Sequence, residues 1–514
     1  MTHTARFRLS LLCASVFALT ACQSIPKVKT DPVVAHPQIS PTEAYNANDS
    51  QTISNANQPS IANQRWQDFY SDDRLKQLIA TGLNNNKDVE AAMLAIQRAR
   101  AQYQITDIND AAKIGSSAGA SYGSTRGADA TDSYNIGLAM SAYEFDFWGR
   151  VASLKQAALQ SFLATTAAKD AVQISLISNI AQSYVSYSYN LAQLDLAKRT
   201  LATRLESQRI NQLRFKAGLD SELSSVQAQA AVEQARVAIS NAETALQKNR
   251  NALRFLVGSP IENSLLPPAA ISRITNNTVL SAGLPSELLL YRPDIRQAEF
   301  NLKSAGANIN VARAAFFPTI SLAGNLGFAS SDLTDLFKSG GFSWGIGPSV
   351  SLPIFDGGLR QANYDISEIA QQQALNTYEK SIQTAFREVN DVMATRQTLD
   401  DRLAAMNRMA QANQKNYQIA NARNKAGLDN YLGVLDAQRS IFSTEQSILN
   451  LRQEQLNSQI QLYQALGGGV NLDVPVNPPS PQFENVSDKV SRVAQRTEDT
   501  LQRTQTVNQP VAQP

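Results

Sequence analysis

The chain has 514 residues, of which 43% are hydrophobic and 18% charged. The charged share lies below the roughly 25% of an average soluble domain, so the composition is that of a folding chain and not of a disordered, highly charged one. Its 46 basic and 44 acidic residues nearly cancel, which gives no bulk attraction to nucleic acid. Both histidines and both cysteines lie within the first 36 residues, so the remainder offers no histidine triad, thiolate nucleophile or Cys/His zinc site.

The N-terminus predicts a secretory signal peptide over residues 1–21. Arg6 and Arg8 precede an apolar run that is too short to span a bilayer. Small residues directly before Cys22 resemble a bacterial lipobox, which implies that Cys22 is lipidated and becomes the first mature residue. Gln23 then resembles an outer-membrane sorting signal. The alternative is ordinary signal cleavage that leaves a free Cys22 thiol.

Long windows with almost no glycine or proline predict four helices. Residues 151–216 and 359–426 contain neither residue, and each window is followed by one glycine and a second long segment, 219–257 or 428–466, the latter with a single internal glycine, Gly433. All four are rich in Ala, Gln, Leu, Glu and Arg with apolar residues at three- and four-residue spacing. At about 1.5 Å per residue the longer ones make rods of roughly 100 Å. A plain coiled-coil spacer is the simplest alternative.

The order of these landmarks indicates an internal duplication. Residues 216–220 read KAGLD, and the same five letters recur at 425–429, an offset of 209 that also separates Gly258 from Gly467. We expect repeat 1 at about 61–265, a linker at 266–284 and repeat 2 at about 285–470. Residues 22–60 form the expected lipidated N-terminal segment, and the polar, proline-containing residues 471–514 a C-terminal tail.

The glycine-rich windows predict one strand hairpin in each repeat, at about 115–147 and 317–355. Of 24 glycines, 14 lie in 115–149 and 324–358, where apolar residues alternate with small or polar ones. Such period-two alternation suits a membrane β-strand that faces lipid on one side, although a soluble half-buried hairpin has the same pattern. No mature segment has 18 consecutive apolar residues. Four strands cannot close a barrel, so membrane insertion requires several chains to share one.

Together with this duplication, several motifs resemble the TolC-like outer-membrane efflux proteins in their lipoprotein branch. The motifs are RPDI at 292–295, AAFFP at 314–318, FDGGLR at 355–360 and, after Gly427-Leu428, LDAQR at 435–439. The resemblance implies a mainly α chain with a small β part. Three chains would form a 12-stranded outer-membrane β-barrel, with four strands from each, continued by a long periplasmic α-helical barrel. It also implies docking with a periplasmic adaptor (membrane fusion) protein and an inner-membrane RND-type pump.

The resemblance also assigns roles to individual residues. The turns at Gly218-Leu219 and Gly427-Leu428 match the family's tips, where adaptor hairpins dock, although a turn without a partner would look the same. A leucine constriction, an aspartate ring and an arginine that ties neighbouring helices match the periplasmic aperture, and these residues are here Leu432, Asp436 and Arg439. Their spacings of four and three place them on one helix face.

The predicted function is therefore a passive exit duct for drugs and other small molecules across the periplasm and outer membrane of a Gram-negative bacterium. The alternatives are a poreless periplasmic coiled-coil lipoprotein and an outer-membrane duct for type I protein secretion. No P-loop, Rossmann or metal motif is present, so an enzyme is not expected. No cofactor or metal is expected either, apart from the covalent lipid on Cys22.

Overall fold

The structure, a computed structural model, describes residues 61, 64–124, 131–275, 291–338 and 340–468. The predicted signal peptide, the whole N-terminal segment 22–60 with Cys22, the tail 471–514 and the 276–284 part of the linker lie outside the described residues. The described residues fall into two units. One is helical and includes Trp148–Pro318 and the chain from Leu352 onward, and the other contains Arg100–Phe147 and Thr319–Ser351.

Helices account for most of the described chain, and the strands come in two pairs. The helices are α1 (Trp66–Phe69), α2 (Asp73–Asn85), α3 (Lys87–Ile108), α4 (Arg150–Lys216), α5 (Glu222–Val257), α6 (Pro293–Ala314), α7 (Leu359–Lys425) and α8 (Tyr431–Ala465). The strands are β1 (Ile114–Gly123), β2 (Thr131–Glu144), β3 (Thr319–Ser330) and β4 (Phe342–Ser351). The expected mainly α chain with a small β part is thus confirmed.

The helices of repeat 1 recur in the same order in repeat 2. Helices α4 and α7 each have 67 residues, α5 and α8 have 36 and 35, and α3 and α6 have 22 each. Four of the helix-ending glycines form two pairs with matching positive φ: 72° and 73° at Gly218 and Gly427, and 71° and 78° at Gly258 and Gly467. Glycine adopts this left-handed conformation without a Cβ penalty, so it ends each helix at the same place in both copies.

An apolar core stabilises the helical unit and joins repeat 1 to repeat 2. Buried side chains of α2, α4, α5, α7 and α8 belong to one cluster, which includes Leu78, Ile180 and Ile460. Phe69, just before α2, stacks on Tyr463 of α8 with ring centroids 4.0 Å apart. The Tyr463 hydroxyl donates to the Gln64 carbonyl at 2.6 Å. The segment before α2 is therefore fixed to the end of repeat 2.

The four strands form one antiparallel sheet in the order β1-β2-β3-β4. The register pairs Ala118 with Ile136, Ile136 with Phe328, and Phe328 with Phe342. Within the part of the chain that the structure describes, β1 and β4 each have a single partner strand, so the sheet has two open edges there. Every residue of β1, and nearly every residue of β4, is exposed. The four strands per chain that we expected are confirmed. Among the described helices, none combines the length and apolarity needed to cross a membrane.

The FDGGLR motif forms the connection that leads into α7. Gly357 and Gly358 have φ of 66° and 91°, and the Asp356 carboxylate accepts from the Gly358 and Arg360 N–H groups at 3.1 Å each. Arg360 Nε donates to the same carboxylate at 2.6 Å, and its Nη1 donates to the Pro353 carbonyl at 2.7 Å. The motif thus satisfies the first N–H groups of a long helix and fixes the chain before it.

Candidate docking tips and aperture

Both predicted tips are Schellman turns with the same hydrogen bonds. In repeat 1 the Leu219 N–H donates to the Arg214 carbonyl and the Gly218 N–H to the Phe215 carbonyl, both at 2.9 Å. In repeat 2 the corresponding donors are Leu428 and Gly427, at 3.0 Å each. Glycine at the left-handed position allows this reversal, and the two bonds satisfy carbonyls at the end of the long helix.

An Arg–Asp pair accompanies each turn. Arg214 lies 3.5 Å from Asp220, and Arg423 Nε lies 2.6 Å from the Asp429 carboxylate, with a second bond from Nη2 at 3.1 Å. The hydrogen bonds from Arg423 lower the pKa of Asp429, whose carboxylate stays ionised at neutral pH. The ion pair joins the end of α7 to Asp429, two residues before α8 begins, and so bridges the turn.

The leucines of the two turns point away from the chain. Leu219 is 70% exposed and Leu428 is 68% exposed. In many Schellman turns the apolar residue at this position packs back on the helix, but here both side chains remain in solvent. Each tip therefore presents one apolar side chain on a rigid turn.

The predicted aperture residues occupy one face of α8, which begins directly after the second tip. Leu432 is 43% exposed, and Arg439 Nη1 lies 3.4 Å from the Asp436 carboxylate. Both charged side chains are more than half exposed, so this pair contributes little to the stability of the single chain. The structure places the three residues together on an outward face; their role as an aperture stays a prediction.

The buried face of α8 packs repeat 2 against repeat 1. Tyr431, Val434 and Leu435 are buried against Ala228 and Ala231 of α5. Three residues after Leu435, Gln438 donates to the Ser207 hydroxyl of α4 at 3.0 Å. The N-terminal parts of α5 and α8, which follow the two tips, are therefore neighbours.

The RPDI motif resembles the family's, but the sequence alone predicts no role for Arg292. The buried Arg292 guanidinium donates to the Asp294 carboxylate at 2.6 Å and to the Glu388 carboxylate at 2.8 Å. Burial opposes the charge, but these two carboxylates outweigh burial and raise the pKa of Arg292. The one sequence feature that could have indicated a role for Arg292 is its position directly before a helix-starting proline.

Among the described residues, no group of three or more His, Cys, Asp or Glu side chains is placed to hold a metal ion.

Comparison with known proteins identifies the family. The profile of the outer membrane efflux protein family matches residues 78–259 and 284–468, which is most of both repeats. The chain belongs to the outer membrane efflux protein family. This is a family of transport channels, and its members reside in the outer membrane of Gram-negative bacteria, which is also where this efflux protein resides.

Curated relatives include efflux components with different named cargoes. The chain is 38% identical over 465 residues to the probable efflux pump outer membrane protein TtgC of Pseudomonas putida, an alignment of 89% of this chain and 95% of that protein. It is 39% identical over 456 residues to the cation efflux system protein CusC of Escherichia coli, covering 88% and 96%. It is 41% identical over 414 residues to the solvent efflux pump outer membrane protein SrpC of Pseudomonas putida, covering 78% and 87%.

Solved structures give the same assignment. A membrane protein from Pseudomonas aeruginosa superposes with a TM-score of 0.76 at 36% identity, covering 80% of this chain and 94% of that one. CusC superposes at 0.75 with 39% identity, covering 79% and 95%. The open state of the MtrE outer membrane channel of Neisseria gonorrhoeae superposes at 0.73 with 37% identity, covering 80% and 92%. This outer membrane efflux protein therefore has the TolC-like channel fold.

Proposed function

We propose that this efflux protein is a homotrimer in which three four-stranded sheets join into one 12-stranded barrel in the outer membrane. The proposal rests on the two open edges of the sheet. Strands β1 and β4 each leave a row of backbone N–H and C=O groups that no other described strand pairs with. In hydrocarbon each such group costs several kcal/mol, so the edges of one chain must pair with those of another. The exposed apolar side chains of β4, such as Ile346 and Val350, then face lipid or the lumen.

We propose that the long helices continue this barrel through the periplasm and end at the two tips. The outward leucines Leu219 and Leu428 dock on the helical hairpins of a periplasmic adaptor, which connects the channel to an inner-membrane RND-type pump. Just inside the tips, Leu432, Asp436 and Arg439 narrow the duct. Three copies bring three leucines and three carboxylates toward the axis, which restricts passage and attracts cations.

We propose that the cargo is drugs and other small organic molecules, delivered by the pump. Relatives are named for toluene, solvents, antibiotics and cations, so the names alone do not choose among these cargoes. The near absence of histidine and cysteine from the mature sequence gives no support for a cation-specific duct. A covalent lipid on Cys22 anchors the mature N-terminus in the same membrane.

Two measurements test this function. Purified protein in neutral detergent is analysed by native mass spectrometry and then inserted in planar bilayers; we expect a mass of three chains and discrete conductance steps. A monomer, or a trimer without conductance, would instead support the poreless lipoprotein. A deletion strain complemented with the wild-type gene should regain drug tolerance. Restored secretion of a protein substrate without restored tolerance would indicate the secretion duct.

A further inference from the structure

A cavity between α4, α5 and α8 combines two arginines with apolar walls. Its volume is about 440 Å³, and its polar lining includes Arg204, Arg439 and Gln234. Val237, Phe442 and three alanines supply the apolar walls, and no Asp or Glu lines it. Two guanidinium groups therefore share one small space that contains no carboxylate.

Arg204 is the unusual member, because its charge is buried and no acidic side chain of the described residues pairs with it. Only 4% of this residue is exposed. Its Nη1 donates to the Ala231 carbonyl at 2.8 Å and to Gln234 Oε1 at 3.5 Å, while its Nε has no hydrogen-bond partner among the described residues. The guanidinium carbon also lies 6.0 Å from the centroid of the Phe442 ring. One carbonyl, a weak amide contact and a ring face compensate only part of the cost of burying a charge.

Arg439 adds a second positive charge to the same cavity. Burial first, and then the positive charge of Arg439, lower the pKa of Arg204, so the two side chains repel each other across this space. The ion pair of Arg439 with Asp436 is long and exposed, and such a pair costs little to break. Arg439 is therefore free to turn toward a ligand in the cavity.

We propose that this cavity binds an amphiphilic organic anion, a carboxylate or sulfonate attached to an apolar body. The anionic head would accept hydrogen bonds from the guanidinium groups of Arg204 and Arg439, since planar guanidinium groups suit oxyanions. The apolar body would lie against Val237 and Phe442. Binding would remove the repulsion between the arginines and would join α4 and α5 of repeat 1 to α8 of repeat 2. This site goes beyond the proposed function, because its occupancy is an equilibrium property that is measurable whether or not the protein conducts.

The test is a binding titration of the full-length protein in neutral maltoside detergent, with empty micelles as the background. Naphthalene-2-sulfonate is the probe. Naphthalene-2-sulfonamide, which has the same shape without the charge, and inorganic sulfate, which has the charge without the apolar body, are the comparison ligands. We expect saturable binding of the sulfonate that weakens with added salt, and about tenfold weaker binding of either comparison ligand.

Variants decide whether the binding lies in this cavity. Arg439→Gln changes an exposed side chain and should weaken sulfonate binding about tenfold, as should Arg204→Gln if it folds. The matched control is Arg209→Gln, an exposed arginine on α4 whose partner is Glu206, and it should leave the affinity unchanged. The proposal is overturned by no saturable binding, by equal affinity for the sulfonamide or for sulfate, or by an Arg439→Gln affinity equal to that of wild type.

Discussion

Arg292 Nη1 donates to the carbonyl of Ala465 at 2.8 Å and so ties the residue before α6 to the end of α8. The corresponding contact in repeat 1 joins Asn86 Nδ2 to the Leu256 carbonyl at 2.9 Å, between the residue before α3 and the end of α5. The same connection is thus made by a neutral amide in one copy and by a buried cation in the other. The cation also binds Asp294 and Glu388, so repeat 2 concentrates three interactions on one side chain.

Replacing Arg292 should therefore destabilise the helical unit. Arg292→Ala removes the bond to Ala465 and leaves two carboxylates without their cation, and we expect a loss of about 2–3 kcal/mol. The melting temperature of the detergent-solubilised protein, followed by circular dichroism, measures it. Arg387→Ala is the control, because its ion pair with Asp391 is exposed and should contribute less than about 1 kcal/mol. Equal effects of the two changes would contradict this role.

The two helix-ending glycines of repeat 1, Gly218 and Gly258, should differ in how much stability is lost when each is replaced by alanine. A Cβ at Gly258 would lie 2.7 Å from the Asn85 carbonyl oxygen, whereas a Cβ at Gly218 would meet nothing within 4 Å. Both have positive φ, so Gly218→Ala should cost only the left-handed strain of about 1–2 kcal/mol, and Gly258→Ala should cost about 1–3 kcal/mol more. Thermal unfolding of the two variants compares them directly. If Gly258→Ala loses less stability than Gly218→Ala, the backbone near Asn85 moves away from the new Cβ at little cost, which would contradict this prediction.

Removing the apolar tips should abolish efflux without affecting assembly. Leu219→Ser with Leu428→Ser deletes two outward leucines from rigid turns, and each is worth about 1.5–3 kcal/mol if it is fully buried by a partner. In a deletion strain we expect drug susceptibility close to that of the strain without the gene, and an unchanged oligomeric mass. Leu333→Ser, at an equally exposed leucine between β3 and β4, should complement fully. Full tolerance in the double variant would remove the tips from the docking surface.

Opening the predicted aperture should raise conductance. Asp436→Ala with Arg439→Ala removes the acidic ring and the arginine that accompanies it, and the single-channel conductance in planar bilayers should rise several-fold. The matched control removes another exposed acid–base pair, with Arg387→Ala and Asp391→Ala, and should leave the conductance as in wild type. A double variant at 436 and 439 that conducts like wild type would place the constriction elsewhere.

A tyrosine–aspartate bond should make stability depend on acid pH. The Tyr184 hydroxyl donates to the Asp72 carboxylate at 2.6 Å. Burial opposes ionisation of Asp72, but the bonds from Tyr184 and from the Arg74 N–H outweigh burial and lower its pKa. The folded pKa lies below the unfolded value of about 3.9, so this stabilisation is present above about pH 4 and disappears as the pH falls.

Tyr184→Phe should thus lower the free energy of unfolding by about 1.5–3 kcal/mol at pH 7 and by less at pH 3. The pH dependence of the melting temperature measures it. Tyr189→Phe is the matched control, because the buried Tyr189 hydroxyl donates to the Ile271 carbonyl at 2.9 Å, which does not titrate. Its loss should be the same at both pH values. A pH-independent effect of Tyr184→Phe would contradict the role of Asp72.

The long helices and the strand pairs could be predicted because local chemistry determines them. Helix α4 ends at Lys216, two residues before Gly218, and strand β4 coincides with the alternation from Phe342 onward. Glycine ends a helix, and alternation selects a strand, whatever the rest of the chain does. Part of the candidate site could be predicted in the same way, since Gly218 and Gly427 mark the two turns between long helices.

The contacts between distant residues were not predictable in this way. Nothing near Arg204 in the sequence indicates that its guanidinium is buried beside Arg439, because that pairing depends on how α4 packs against α5 and α8. The stacking of Phe69 on Tyr463 joins residues almost 400 positions apart. Such contacts arise from tertiary packing, which the local pattern of apolar residues limits but does not specify.

The open edges of the sheet also have a genetic consequence. When two alleles are expressed equally, the chains mix at random, and only about one in eight of the proposed trimers contains wild-type chains alone. A variant chain that completes the barrel but carries altered tips would thus enter most channels in the cell. Strands β1 and β4 make such a tip variant dominant over the wild type, although the altered residues lie in the other unit of the chain.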